Sequence, residues 1–219
     1  MNYPIFSYGN DNFTLLNRGK ITVMGRGRVS ASPDTAILTI GVTSEGDDLQ
    51  RIQEENALIS SRVIKTLLSH GIQRDNIKTQ SYTIEPLYDY TNGNQIFKGY
   101  RVSNILITET SRLGDIGAII DDAVASGANN IQGISFSVKN PEIYYNEALR
   151  LALRNAQSKA LTLAQEMNIK IDRVPISIQE QVAPVPYGSS ALIKASAATP
   201  ILPGTLDIIA ELEAIFKYI

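Results

Sequence analysis

One histidine and several adjacent carboxylates are the residues of this sequence whose types could do chemistry. His70 is the only histidine, so a Ser-His-Asp arrangement would have to use it, and no metal site could take two histidines from one chain. It stands directly before Gly71, at the predicted end of a helix, where the helix dipole favours a cation. A solvated helix end is therefore favoured over a catalytic base.

Carboxylates stand side by side at three places, and paired carboxylates can transfer protons or bind a divalent cation. Neighbours on a helix point to different faces, and acids at a helix start are stabilised by the dipole. Solvated structural roles are therefore the favoured interpretation, and the sequence predicts no catalytic residue, no metal site and no cofactor. The pairs are Asp47 with Asp48, Glu54 with Glu55, and Asp121 with Asp122.

The spacing of the glycines and the absence of cysteine exclude further kinds of site. Gly25-Arg26-Gly27 invites comparison with a phosphate-binding loop, but no third glycine follows at the required spacing and the residues downstream are strand-like. These glycines are predicted to let a strand bulge or bend. The chain has no cysteine, which excludes disulfides, zinc–cysteine sites and thiol nucleophiles.

Three tyrosines could serve recognition rather than catalysis. Tyr88, Tyr90 and Tyr100 flank one predicted hairpin, where they could form an exposed aromatic rim of the kind enriched at protein interfaces. Ordinary cross-strand packing is the favoured account of these tyrosines, and the interface is the alternative.

The elements that must position these residues begin with strands and a long helix. Alternating apolar residues predict strands at 21–24 and 31–42, which could form one hairpin around Ser32-Pro33-Asp34. Helical spacing follows from Asp47 or Asp48 to the stop at Gly71. Strands at 77–90 and 96–110 are joined by Thr91-Asn92-Gly93-Asn94, in which Asn-Gly supplies the positive φ angles of a tight hairpin.

A second helix is predicted from Ser111 or Arg112 to Ser126, and a strand from 130 to 138. The resulting order, β-α-β-β-α-β, predicts an α+β fold with a mainly antiparallel sheet in a ferredoxin-like arrangement that carries both helices on one face. The expected additions are an N-terminal strand, a long third helix and C-terminal strands.

The third helix begins at Asn140-Pro141-Glu142 and extends to about Asn168. Alanine recurs at every fourth position from Ala148 to Ala164, and this smooth ridge permits close approach of another backbone. A strand is predicted at 174–181, and a Pro/Ala/Ser-rich exposed arm at 182–204. The pattern of residues 205–219 fits both a strand and a helix, and the propensities of Ala, Glu and Leu favour the helix.

Length, composition and charge limit the remaining classes. The chain has 219 residues, 43% hydrophobic and 19% charged; we expect a flexible tail at 1–19 and one domain at 20–219. The formal charge is -2 with no basic cluster, so nucleic acid is not expected as a partner. No membrane span or signal peptide is predicted. The expected location is cytoplasmic if the sequence is complete, and exported or in the cell envelope if a leader was removed.

Several stretches together resemble the SIMPL-domain family, over about residues 20–181 and 205–219. Through Tyr88-Asp-Tyr90, Phe97-Lys-Gly-Tyr100 and Tyr144-Tyr145 the chain looks most like members from Gram-positive spore-forming bacteria. The resemblance implies no agreed active site or cofactor, assembly into ring-like or barrel-like oligomers, and a terminal strand at 205–219. The other stretches are Ile21-Thr-Val-Met-Gly-Arg-Gly27, Ser32-Pro-Asp34, Gly71-Ile72 with Ile77-Lys-Thr79, Ile84-Glu-Pro86, Gly99-Tyr-Arg101, Gly127-Ala128 with Ile131-Gln-Gly133, and the alanine ladder.

The leading hypothesis is a non-enzymatic structural or interaction protein that forms a homo-oligomer. Its contacts are expected at the hairpin tyrosines Tyr88, Tyr90 and Tyr100, at the arm, or at both. The alternative is a small-molecule-binding protein or an enzyme with a pocket between sheet and helices, using acids such as Asp121 and Glu109. In the arm the expected contact residues are Pro184, Pro186 and Tyr187.

Overall fold

A computed structural model describes residues 19–91, 94–181 and 201–218 of the chain. These residues form three α-helices and two antiparallel sheets, which confirms the α+β class. The strands are β1 (Lys20–Ala31), β2 (Thr35–Gly46), β3 (Ile77–Thr91), β4 (Asn94–Thr110), β5 (Asn130–Ser137), β6 (Ser177–Gln181) and β7 (Leu206–Lys217). The helices are α1 (Leu49–Ser69), α2 (Ile116–Ala125) and α3 (Pro141–Glu166).

The chain divides into two compact units, each of which is described by itself. The first unit combines the described residues of 1–29, 145–184 and 209–219, and the second those of 30–144 and 185–208. The prediction of a single domain stays a prediction.

The second unit contains a four-stranded sheet in the order β3-β4-β2-β5, with antiparallel neighbours throughout. Its elements follow in the predicted order β-α-β-β-α-β. One face of the sheet is apolar and packs against α1 and α2, and the space between them is filled by buried side chains. These include Leu38, Ile40, Val63, Leu67, Ile116, Ile119, Ile134 and Phe136.

Helix α1 begins and ends where its sequence predicts. The Asp48 carboxylate accepts hydrogen bonds from the backbone N–H groups of Gln50 and Arg51, at 3.0 and 3.2 Å, and so satisfies two of the free donors of the first turn. The helix ends at His70, and Gly71 follows with a φ of 79°, a left-handed conformation that glycine adopts without a Cβ penalty.

The first unit packs α3 against a three-stranded sheet in the order β1-β7-β6. The alanine ladder from Ala148 to Ala164 is completely buried. Gly25 and Gly27 of β1 face it, and a Cβ at Gly27 would lie only 2.6 Å from the Ala152 backbone nitrogen. The ridge therefore allows the close backbone approach that the sequence predicted.

The predicted bulge at Gly25 and Gly27 is wrong, because burial alternates regularly along β1 from Lys20 to Arg28, whereas a bend there stays a prediction. Both glycines face α3, which leaves no room for a side chain. A second strand prediction was also wrong. The predicted hairpin of the first two strands does not form, because β1 and β2 pair in different sheets. Local alternation identifies strands but not their partners.

The C-terminal segment is a strand, as the family resemblance implied. β7 lies between β1 and β6, and its burial alternates regularly along its length. A strand with one face packed against a hydrophobic core buries every second side chain, whereas a helix would bury side chains at a spacing of three and four. The buried residues are Ile208, Ala210, Leu212, Ala214 and Phe216.

Candidate functional site

The hairpin of β3 and β4 extends beyond the rest of its sheet. β3 pairs with β4 from Ile77 opposite Thr108 to Thr91 opposite Asn94. β2 accompanies β4 only as far as the pair of Gly46 and Tyr100. Among the described residues, the segments 87–91 and 94–99 therefore have ladder partners only in each other, and most of their side chains are exposed.

Three aromatic rings form a continuous cluster on this hairpin. The ring centroids of Tyr88 and Phe97 are 5.8 Å apart, and those of Phe97 and Tyr100 are 5.1 Å apart, both in edge-to-face geometry. Tyr88 and Phe97 remain 46% and 47% exposed. We call Tyr88, Phe97 and Tyr100 the aromatic cluster; it presents a large apolar surface to solvent, held rigid by ring–ring contacts.

A β-bulge creates the cluster. Phe97 and Tyr100 are three residues apart, and in a regular strand they would point to opposite faces. In the ladder Phe97 pairs with Tyr88 and Gly99 pairs with Leu87, so Lys98 is an extra residue without a partner. One extra residue reverses the alternation beyond it, and Phe97 thereby joins Tyr100 on one face.

The aromatic cluster lies on the face of the sheet that carries the helices. The Tyr82 hydroxyl accepts a hydrogen bond from Gln53 Nε2 of α1 at 3.4 Å, and alternate residues along β3 share this face. Ile84, next along this face, is still 39% exposed. Helix α1 therefore covers the sheet near Val102, which is fully buried, and leaves the end of the hairpin open.

The predicted interface residues fall into three groups. Tyr88 and Tyr100 belong to the aromatic cluster, and Tyr90, two residues beyond Tyr88, is 72% exposed. Phe97, which joins the two tyrosines, was missed, because strict alternation hides it; its pairing partner could have been found by counting back from the Asn-Gly turn. Pro184, Pro186 and Tyr187 lie outside the described residues.

His70 makes a structural hydrogen-bonding contact with Asp122. Its Nε2 lies 2.8 Å from an Asp122 carboxylate oxygen, which joins the end of α1 to α2. Arg112 donates to the His70 carbonyl oxygen at 2.8 Å and to Asp115 at 2.6 Å. A catalytic triad also needs a nucleophilic hydroxyl on the imidazole, and within the described part of the chain no hydroxyl is hydrogen-bonded to the His70 ring.

In two of the three acidic pairs, the neighbouring residues make different contacts. Asp48 caps α1, whereas Asp47 lies 3.7 Å from Arg51. Asp122 binds His70, whereas Asp121 is exposed, as is Glu109. Among the described residues no three His, Asp or Glu side chains form a group that could hold a metal ion.

The helix-free face of the same sheet is polar. Arg101 stands opposite Glu45 on one side and Glu85 on the other, and its Nε lies 2.6 Å from a Glu45 carboxylate oxygen. An open depression of about 500 Å³ here is lined by Thr43, Glu45, Ser81, Thr83, Glu85, Arg101, Ser103, Ile105, Asn130 and Gln132. It offers hydrogen bonds to polar molecules, but not the convergent, enclosed groups of a catalytic site.

In the first unit the pKa of Tyr145 is raised. The Tyr145 hydroxyl of α3 donates a hydrogen bond to Glu180 of β6 at 2.5 Å. This hydrogen bond, together with burial and the negative charge of Glu180, raises the pKa of Tyr145 to about 12. The contact ties β6 to the helix.

The family of the chain follows from its match to a family model. The model of SIMPL, described as a protein of unknown function (DUF541), matches residues 21–216. The chain belongs to the SIMPL family. This match begins in β1 and ends in β7, so the SIMPL fold takes in both sheets.

The SIMPL relatives are bacterial proteins whose names contain no enzymatic activity. The 26 kDa periplasmic immunogenic protein of Brucella melitensis is 28% identical over 187 residues, which cover 83% of this chain and 74% of the relative. The protein of the same name from Brucella abortus matches equally well. The uncharacterized protein YggE of Escherichia coli K12 is 29% identical over 154 residues, which cover 70% of this chain and 63% of the relative.

In the described residues, no helix has both the length and the apolarity needed to cross a membrane.

Proposed function

We propose that this SIMPL protein is a non-enzymatic structural or interaction protein that functions by assembling with copies of itself. The observation that carries the proposal is the aromatic cluster on a hairpin that projects from its sheet. Large aromatic side chains are enriched at protein interfaces because they bury much area at a low entropic cost. An exposed, pre-formed cluster of this kind is stabilised when a partner covers it.

Burial of the aromatic cluster contributes substantially to the free energy of association, but it is not sufficient to drive association alone. Covering the exposed halves of the Tyr88 and Phe97 rings together with Tyr100 contributes on the order of 5 kcal/mol per hairpin, at roughly 25 cal/mol per Å². Association costs roughly 4–15 kcal/mol in lost translational and rotational freedom. Self-assembly therefore needs a second contribution besides the rings.

The proposed arm at 182–204, with Pro184, Pro186 and Tyr187, would supply such a contribution. It stays a prediction, since residues 182–200 lie outside the described part of the chain. Deleting residues 184–202 tests its part: an unchanged particle mass would remove the arm from the interface.

The non-enzymatic part of the proposal is supported by how the reactive side chains are used. His70 and Asp122 pair with each other, and Asp48 caps a helix. For the location we propose export or the cell envelope, and the support is the periplasmic name of the Brucella relatives.

The test is the absolute molar mass in solution, by size exclusion with light scattering, over roughly a hundredfold range of protein concentration. We expect a mass several times that of one chain, which falls on dilution if the assembly is reversible. A concentration-independent monomer would contradict the proposal.

A further inference from the structure

The exposed edges of the two sheets differ in how they are protected. An edge strand presents unpaired backbone N–H and C=O groups, and proteins usually shorten, bulge or cover such strands to prevent pairing with other chains. The described part of β6 has five residues. β5 has eight residues, with a register shift opposite Thr39 and Ile40, so it is a short and irregular edge.

The edge strand β1 is closed by side chains of α3. The backbone N–H of Arg26 donates to the Asn155 side-chain oxygen at 3.1 Å. Lys159 Nζ donates to the backbone oxygen of Met24 at 2.7 Å. A strand that pairs with β1 at these residues would have to displace both side chains.

The edge strand β3 has a register shift at Gln80 and a proline at position 86, but within the described part of the chain no helix side chain hydrogen-bonds to its backbone. It is 15 residues long, and every residue from Lys78 to Pro86 is exposed. Within the described part of the chain, the only side chain hydrogen-bonded to a β3 backbone group is that of Asp89, which accepts from the N–H of Tyr90 at 2.9 Å. Pro86 has no N–H to offer, as is typical of an edge strand.

We propose that β3 pairs along its edge with β3 of a second copy, antiparallel, around a two-fold axis at Ile84. The inference rests on the proposed self-assembly and identifies its contact surface. Antiparallel pairing makes an edge strand complementary to itself, and Ile84 is the middle residue of β3. The four-stranded sheet would continue into that of the second copy, and backbone hydrogen bonds would add to the burial of aromatic rings.

The charges along β3 favour this register. On the helix-free face the residues run Lys78, Ser81, Thr83, Glu85, Leu87 and Asp89, because Gln80 is an extra residue at a register shift; all of them are exposed except the half-buried Leu87. Pairing centred on Ile84 places Lys78 opposite Asp89 of the second copy and Glu85 opposite Thr83. A shift of the axis to residue 85 would place Glu85 opposite itself, and like charges directly opposite are destabilising.

The other face is compatible with the same register. Ile84 meets its own symmetry mate, and Tyr82 faces Pro86 of the second copy, so apolar groups that are now exposed cover each other. An axis at Ile84 gives every residue of β3 an opposite residue except Gln80 and Thr91.

Single cysteines test the pairing, because the native chain contains none. Directly opposed residues of antiparallel strands have Cα atoms about 4.5–5.5 Å apart, within the range of a disulfide. We expect Ile84→Cys to form a covalent dimer on mild oxidation. The matched control is Met24→Cys on the closed edge of β1, since the exposed fractions of Ile84 and Met24 are 39% and 40%; it is expected to remain a monomer on denaturing gels.

A second pair of variants tests the register of the pairing and replaces only charged residues. Lys78→Cys and Asp89→Cys, both at exposed positions, should cross-link efficiently only when the two proteins are mixed, because each faces the other across the axis. Efficient cross-linking of either variant with itself would overturn the register.

The outcomes separate this inference from the proposed function. If wild type is oligomeric by light scattering but neither Ile84→Cys nor the mixed pair cross-links, β3 pairing is wrong and self-assembly uses another surface. If an extended segment of a different protein occupies β3, purified Ile84→Cys likewise stays uncross-linked and the inference fails. If wild type is a monomer at every concentration, both proposals are wrong.

Discussion

β1 and β3 are both edge strands with apolar side chains on one face, but among the described residues a helix hydrogen-bonds to the backbone of β1 and not to that of β3. Asn155 and Lys159, one turn apart on α3, occupy backbone groups of Arg26 and Met24. Helix α1 reaches only one β3 side chain, the Tyr82 hydroxyl, through Gln53. The pairing capacity of an edge thus depends on what neighbouring helix side chains do, and not on the strand sequence alone.

The two strands also differ in how they fill space. β1 carries glycines where α3 approaches, so its inner face is closed by backbone contacts. The end of the β3–β4 hairpin carries three aromatic rings, of which Tyr88 and Phe97 remain about half exposed. The first arrangement stabilises the chain itself, and the second is available to a partner.

The largest expected effect is on the packing of β1 against α3. Gly27→Val would place a side chain 2.6 Å from the Ala152 backbone nitrogen, and because backbone cannot move aside we expect a loss of about 3 kcal/mol in the free energy of unfolding. Urea denaturation measures it. Gly114→Val is the control, since nothing lies within 4 Å of a Cβ there; equal losses in both variants would contradict the packing argument.

The next effect concerns association through the aromatic cluster. Phe97→Ser removes the ring that contacts both tyrosines, and we expect the dissociation constant of the oligomer to rise by at least about tenfold. Sedimentation at several concentrations measures it. Leu58→Ser on α1, which removes an apolar side chain 64% exposed, should leave the constant unchanged, and an equal effect of the two substitutions would remove the hairpin from the interface.

Opening the edge of β1 would make it resemble β3. Replacing Asn155 and Lys159 together by Ala removes both hydrogen bonds to the β1 backbone, at a cost of about 1 kcal/mol in unfolding free energy. In this background Met24→Cys should begin to form covalent dimers. Arg154→Ala, at an exposed position of the same helix, should not have this effect. Continued absence of cross-linking would mean that the two side chains do not protect the edge.

The smallest effect is a pH dependence at β6. Tyr145 has its pKa raised from 10.0 to about 12 by the hydrogen bond to Glu180. The stabilisation from this contact is therefore fully present below pH 10 and is lost as the pH rises through about 12. Because the chain has ten tyrosines, the near-ultraviolet titration of wild type should be compared with that of Tyr145→Phe. A difference curve with its midpoint near 10 would contradict the contact.

Much of the fold could be predicted from sequence because its signals are local. Asp48 and Gly71 bound α1, and the strands on either side of the Asn-Gly turn form the hairpin, as predicted. The strand at the C-terminus was not decided by its own pattern, which fitted two periods; the family resemblance decided it correctly.

The candidate site was only partly predictable. Tyr88, Tyr90 and Tyr100 were assigned to one hairpin, and the structure places them there with Tyr88 and Tyr100 in the aromatic cluster. Phe97 was missed because a one-residue bulge reverses the alternation on which the prediction relied. The use of these residues as an interface stays a prediction.

The sequence by itself determined the two ends of α1 and the hairpin of β3 and β4, because caps, glycine stops and turn residues act over a few neighbouring residues. Only the tertiary structure decided that β1 and β2 join different sheets and that His70 meets Asp122. It alone decided that α3 closes the edge of β1, since Arg26 and Asn155 are 129 residues apart and Met24 and Lys159 are 135 apart. Contacts of that separation depend on how complete elements pack, and no local pattern encodes them.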